Sequence, residues 1–166
     1  MKIHIAAIGQ INGSPEGELF ATYYDRAKAS GRAIGIADVI ITELRGGKGL
    51  SGDKRISFDQ NSIDETITKL RTSTPNSRII LLDERGKNFS SIEFSSQIGT
   101  WRDQAIDQIC FVLGGPDGFG EQQRQSADLL ISLGRMSWPH LLARTLLMEQ
   151  IWRAISILSN HPYHRA

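Results

Sequence analysis

Cysteine is almost missing from this chain. The single one, Cys110, sits inside the apolar run Ile109-Cys110-Phe111-Val112-Leu113, so no internal disulfide can form and the thiol reads as a buried, inert side chain. Long apolar runs are missing too, and none approaches the ~20 residues of a membrane span. The opening, residues 1–8, is too short for the apolar region of a signal peptide and reads better as a strand. These shortages point to a cytoplasmic protein without a membrane anchor. Excess charge is also lacking: 19 basic and 18 acidic residues leave a net +1, which argues against a protein that coats nucleic acid electrostatically while leaving room for a local basic site.

Several chemical signatures are absent as well. His161, Tyr163 and His164 have no Cys, Asp or Glu companion at zinc-ligand spacing, so no metal site is expected. Gly47-Lys48 is followed by Gly49 rather than Ser or Thr, which excludes a P-loop. No serine elbow or G-x-G-x-x-G dinucleotide frame occurs.

What is there is ordinary globular material: 166 residues, 40% hydrophobic and 22% charged, enough for one domain spanning 1–166 with a real core. Apolar runs predict strands over 3–8, 39–44, 78–82, 109–113 and 129–133. Helical periods predict helices over 17–30, 62–72, 91–104, 120–128 and 140–159. Strands alternating with helices imply an α/β fold, a mainly parallel sheet with helices on both faces, and the continuous apolar run at 109–113 suits a doubly buried central strand. The segment Arg45 to Arg55 carries four glycines and four basic side chains and reads as a mobile surface loop, either a solvated connection or a basic lid for phosphates. The last helix has two apolar stripes, Leu141, Thr145, Met148, Trp152, Ile155 and Leu147, Ile151, Ala154, Leu158. Two stripes imply burial on two sides, and a second subunit in a symmetric dimer is the expected cover.

Two loops and a tail carry the chemistry. Gly114-Gly115-Pro116-Asp117-Gly118 closes the central strand with a glycine-rich turn, at the strand end where open α/β sheets bind ligands. Gly134-Arg135-Met136-Ser137-Trp138-Pro139-His140 follows the next apolar run and opens the last helix, with Pro139 near the first helical position. Asp83-Glu84-Arg85-Gly86-Lys87 is either a solvated turn or a source of a carboxylate at the same edge. The ending Asn160-His161-Pro162-Tyr163-His164-Arg165 is dense in groups that bind or move protons.

At Gly114-Gly115-Pro116-Asp117-Gly118, Ser137-Trp138-Pro139-His140, Arg144 and that ending, the chain resembles the small SPOUT methyltransferases that methylate N3 of a pseudouridine in 23S ribosomal RNA. The resemblance covers essentially the whole length. It implies a C-terminal trefoil knot, which general rules of chain topology would not anticipate, a homodimer, and S-adenosylmethionine bent among the knot loops. The implied cofactor contacts are Leu82, Gly115, Gly134, Arg135, Met136, Ser137, Trp138 and Pro139. Main-chain groups would hold the adenine, and Leu133 and Met136 would pack on its faces.

N3 of pseudouridine is an imide N–H that must lose its proton as it attacks the sulfonium methyl group. The resemblance therefore assigns the chemistry to the tail: His164 or Tyr163 against the imide or its carbonyls, and Arg165 against developing negative charge. The near-neutral charge fits recognition of an assembled ribosome rather than naked RNA. Alternatives left open are a SPOUT enzyme for another rRNA or tRNA position, and a non-catalytic ribosome-assembly factor.

Overall fold

The computed structural model describes residues 1–164; Arg165 lies outside the described residues. Five strands, β1 (Lys2–Ile8), β2 (Asp38–Leu44), β3 (Ser77–Asn88), β4 (Gln108–Leu113) and β5 (Leu129–Ser132), form one sheet in the order β2-β1-β4-β3-β5, with every pairing parallel. Five helices connect and follow them: α1 (Pro15–Gly31), α2 (Gly52–Ser73), α3 (Ser91–Asp103), α4 (Glu121–Ser126) and α5 (His140–Leu158).

The period of two along each strand sorts the core into two layers. Ile3, Ile5, Ala7, Ile80, Ile109, Phe111 and Leu113 point to the face covered by α1, α3 and α5. Ala6, Ile8, Ile79, Leu81, Cys110 and Val112 point to the opposite face, where Ile63, Ile67 and Leu70 of α2 cover them. Every residue of β4 is buried, as a central strand covered on both faces requires. Burial pushes the Cys110 thiol up to about 12, so it stays protonated and inert.

Two expected boundaries move, each for a physical reason. Helix α2 begins at Gly52, ten residues before the expected start at 62, so the basic segment shortens to 45–51. Its buried face runs Asp59, Ile63, Ile67, Leu70, and its first member is a carboxylate that a search for apolar periods passes over. Strand β3 continues to Asn88 instead of stopping at Leu82. Its register against β5 breaks between Leu82 and Lys87 and resumes at Lys87↔Ile131 and Asn88↔Ser132.

The expectation for α5 also changes. Both of its stripes are covered within the chain, since α5 packs on α1 and α3 while its floor meets the sheet. Thr145 Oγ1 donates to Glu16 O on α1 at 3.0 Å, and Ser95 Oγ of α3 donates to Ala154 O at 3.2 Å. The two-faced helix therefore carries no argument for a second subunit.

After β5 the chain crosses the carboxyl ends of the strands to reach α5. Where β5 itself lies against β3 the approach is close: a Cβ on Gly86 would stand 2.7 Å from Ile131 Cα, with the Ile131 N and C atoms nearer still. Backbone cannot yield there as a side chain could. Gly86→Ala is expected to destabilise the fold by about 1–3 kcal/mol, as overpacking does, read from the midpoint of urea unfolding at unchanged slope.

Candidate functional site

The carboxyl ends of β3, β4 and β5 enclose a cavity of about 860 Å3, within the range of small-molecule sites. Leu82 and Asp83 form one wall, Leu113 to Phe119 a second, and Ser132 to Trp138 a third; His140 and Ala143 of α5 close the back.

The glycine turn is built for close approach. Gly118 adopts φ +70° and donates its N–H to Gly115 O at 3.0 Å, closing the turn. A Cβ on Gly115 would collide with Asp59 Oδ2 of α2. Asp59 is buried, and its Oδ1 accepts from Gly47 N at 2.7 Å, so one carboxylate links the basic segment 45–51 to the back of the turn. Arg55, also on α2, makes two 2.9 Å hydrogen bonds to the Asp117 carboxylate. Such a fork fixes orientation as well as distance.

A second carboxylate stands at the end of β3. Asp83 is buried, accepts from Arg124 Nε at 2.8 Å and from Arg85 N at 2.9 Å, and lines the cavity. Of the two readings open for Asp83 to Lys87, the structure takes the one that supplies a carboxylate at the sheet edge.

Behind the cavity lies the most heavily buried cation. Arg144 has no exposed surface; its Nη2 donates to Ile8 O at 2.9 Å and Gly9 O at 3.0 Å, and Nη1 lies 3.5 Å from Glu43 Oε1. Glu43 also accepts from Ile11 N at 2.8 Å. His140, one turn earlier on α5, makes a short hydrogen bond through Nε2 to the same Ile8 carbonyl. Burial, and then the Arg144 charge, hold His140 below the ordinary histidine value, against the opposing pull of Ile8 O and Asp59.

Of the residues expected from the sequence to hold a cofactor, Leu82, Gly115, Gly134, Arg135, Met136, Ser137 and Trp138 all line this cavity. Pro139 caps the start of α5 behind the lining loop without joining it. Met136 is 73% exposed and Trp138 is 40% exposed, so the cavity has an open apolar rim. The tail is elsewhere in the same chain. Tyr163 donates its hydroxyl to Glu149 Oε1 at 2.9 Å and packs 5.5 Å from the Trp152 ring, with the Arg153 guanidinium 5.0 Å over its own ring. Desolvation, Tyr23 and Glu149 push its phenol well above the ordinary value. Both ring nitrogens of His164 are shielded from solvent without a hydrogen-bond partner. Neither Tyr163 nor His164 lines the cavity.

Sequence reasoning missed Asp59 and Arg124 as parts of the site, and had Arg55 only as the end of a basic lid, not as the clamp on Asp117. Asp59 had a signal in the i, i+4, i+8 spacing to Ile63 and Ile67; the pairings of the two arginines had none, because their partners lie 62 and 41 residues away.

An all-parallel sheet with two glycine-bearing loops walling a cavity at its carboxyl edge defines an α/β ligand-binding protein. The chain belongs to the SPOUT methyltransferases: the family model described as "Predicted SPOUT methyltransferase" matches residues 1–164. It is 43% identical over 165 residues to the ribosomal RNA large subunit methyltransferase H of Paracoccus denitrificans, covering 99% of each chain. It is 36% identical over 169 residues to the protein of the same name from Brucella abortus strain S19, covering 100% of each. A more distant likeness is the solved SpoU methyltransferase AviRb from Streptomyces viridochromogenes, in complex with the cofactor AdoMet, at 12% identity and a TM-score of 0.39 over 92% of this chain and 59% of that one.

Two outcomes test the site's construction. Gly115→Ala is expected to push Asp59 off Gly47 N, and faster hydrogen exchange at the Gly47 amide would report it. Burial lowers both His4 and His140, so the unfolded chain binds more protons in acid; stability should fall as pH drops from about 7 to about 5. Denaturant midpoints across that window check the sign.

Proposed function

We propose that this chain is an S-adenosylmethionine-dependent methyltransferase acting on N3 of a pseudouridine in 23S ribosomal RNA, with the assembled ribosome as substrate and a cytoplasmic homodimer as the working form. The observation that carries this reading is the cavity between Gly114–Gly118 and 132–138. Its walls pair main-chain edges of two glycine-bearing loops with the apolar side chains Leu82, Leu113, Leu133 and Met136. That combination suits a flat purine held by backbone groups and sandwiched by aliphatic ones. The full-length similarity to rRNA methyltransferases of the large subunit supports the substrate class.

S-adenosylmethionine supplies an activated methyl group on a sulfonium, so the protein's task is to place N3 in line with it and manage one proton. Leu82, Gly115 and residues 134–138 hold the donor, with Pro139 starting α5 behind them, and Asp117 and Asp83 keep their loops in place through Arg55 and Arg124. The loop 133–139, which leaves β5 and runs along the cavity to α5, is where the trefoil knot would be tied.

The tail needs a second chain. Tyr163 and His164 stand off the cavity of their own chain, while the rim beside Met136 and Trp138 is open. In the dimer, one chain's tail completes its partner's cavity: Tyr163 as a donor to a carbonyl, His164 against the base, Arg165 against negative charge. A protein of net charge +1 gains little from phosphate contacts alone, which favours a shaped ribosomal surface.

Purified protein and S-adenosylmethionine should methylate ribosomes that lack the modification, with mass spectrometry locating the methyl group on one pseudouridine. A methyl group at another rRNA or tRNA base, or ribosome binding without transfer, would replace this reading. Alanine at Tyr163, His164 or Arg165 should lower transfer about 10²-fold or more while leaving cofactor affinity unchanged by calorimetry. Full activity in all three variants would remove the tail from the mechanism. Mixing a tail variant with a Gly115→Ala cavity variant should restore activity if the tail serves the partner.

A further inference from the structure

We propose that His140 takes the N3 proton during methyl transfer, an assignment that rests on the methyltransferase reading above. The ring lines the cavity at the start of α5. Its Nε2 stands against the Ile8 carbonyl oxygen, which can only accept; we assign the hydrogen to Nε2 on that contact, with Arg144 Nη2 donating to the Ile8 and Gly9 carbonyls rather than to the ring. Nδ1 is left with a free lone pair and has no protein partner among the described residues.

The surroundings keep that lone pair available. Arg144 Nη2 lies 3.1 Å from Nε2 and shares Ile8 O with it, so two donors converge on one carbonyl and a guanidinium flanks the ring. A second proton on the imidazole would place two cations side by side, one of them the fully buried Arg144. The groups facing the ring are Arg144 from α5 itself, Asp59 from α2, Ile8 O from the end of β1, and Glu43 from β2 through Arg144. The net balance lowers the affinity for a proton. A neutral ring also suits a cavity that must admit a sulfonium, since it does not repel the incoming cation.

Other candidates fall away on position. The chain has four histidines. His4 is engaged inside the sheet with Thr42 Oγ1 at 2.8 Å and Gln108 Nε2 at 3.2 Å. His161 packs against Trp152, and His164 stands off the cavity of its own chain. Tyr163 holds its proton more tightly than an ordinary phenol, which makes it a donor rather than a base.

The step balances. The N3 lone pair forms a bond to the methyl carbon, the carbon–sulfur bond breaks with its electrons retained by sulfur, and the N3 proton passes to His140 Nδ1. The positive charge lost from the sulfonium reappears on the imidazolium, where Arg144 then favours its release to solvent. The tail remains the group that orients the base and its carbonyls.

His140→Gln keeps a donor for Ile8 O and removes the basic nitrogen. It should bind S-adenosylmethionine with wild-type affinity by calorimetry and melt at the wild-type midpoint, yet transfer methyl groups about 10²-fold or more slowly to ribosomes. Wild-type kcat/KM should fall in acid with an apparent pKa below ~6.5, and that limb should vanish in the variant. Nitrogen-15 NMR of the wild-type protein should show His140 as the neutral Nε2–H tautomer. Near-wild-type activity of H140Q, loss of cofactor binding along with activity, or an Nδ1–H tautomer would each overturn the assignment. Wild-type protein that transfers no methyl group would instead bring down the methyltransferase reading on which it stands.

Discussion

The fold hangs on the grip of Arg144 at the end of β1. A guanidinium with no exposed surface holds the last main-chain oxygen of the first strand and the one that follows it, while Glu43 at the end of β2 balances its charge. The cost is considerable: Nε and Nη1 are buried without hydrogen-bond partners, and burial lowers even this guanidinium's proton affinity. Breaking such a pair by removing one partner typically costs about 3–5 kcal/mol, because the other charge is left stranded. What the arrangement secures is geometry. It fixes the position of α5 along the sheet, and with it the ring of His140 and the back wall of the cavity.

A second set of ionic contacts does the same for the front. The glycine turn after β4 has few side chains with which to hold itself, so α2 holds it from outside through Arg55 and Asp59. Arg124 ties the end of β3 through Asp83 in the same manner. These pairs are partly exposed or flank a wet cavity, and their worth lies less in stability than in orientation. Loops with bare backbone can present N–H and C=O groups to a ligand only if something else stops them from moving.

Much of this was legible in the sequence, unevenly. Most strands and helices follow from periodicity because they bury a clean face, and β4 announced its central place with the continuous apolar run 109–113, all of it buried. The two loops lining the cavity were legible because glycine and proline mark irregular backbone at strand ends. Helix α2 was half missed since its buried face begins with Asp59, and a buried carboxylate reads as surface until its partner is known. The extension of β3 was missed because Asp83 to Lys87 is charged, although its purpose is to pair again with β5 after a break in register. The second stripe of α5 was read as a contact surface between subunits, whereas α3, distant in sequence, covers it. Long-range partners decide these cases, and one-dimensional patterns do not contain them.

The span of the Arg144 contact bears on when this protein can work during its own synthesis. Its hydrogen bond to Ile8 joins residues 136 positions apart, nearly the two ends of the chain. Contacts of such separation form late, since the entropy of closing the loop between them must be met before any is gained back. The strands can pair and the glycine turn can form while α5 is still being made, but the back wall and its histidine cannot exist until that last helix docks. No fragment short of it has a complete cavity, so the back wall of the site is the last part of it to take shape.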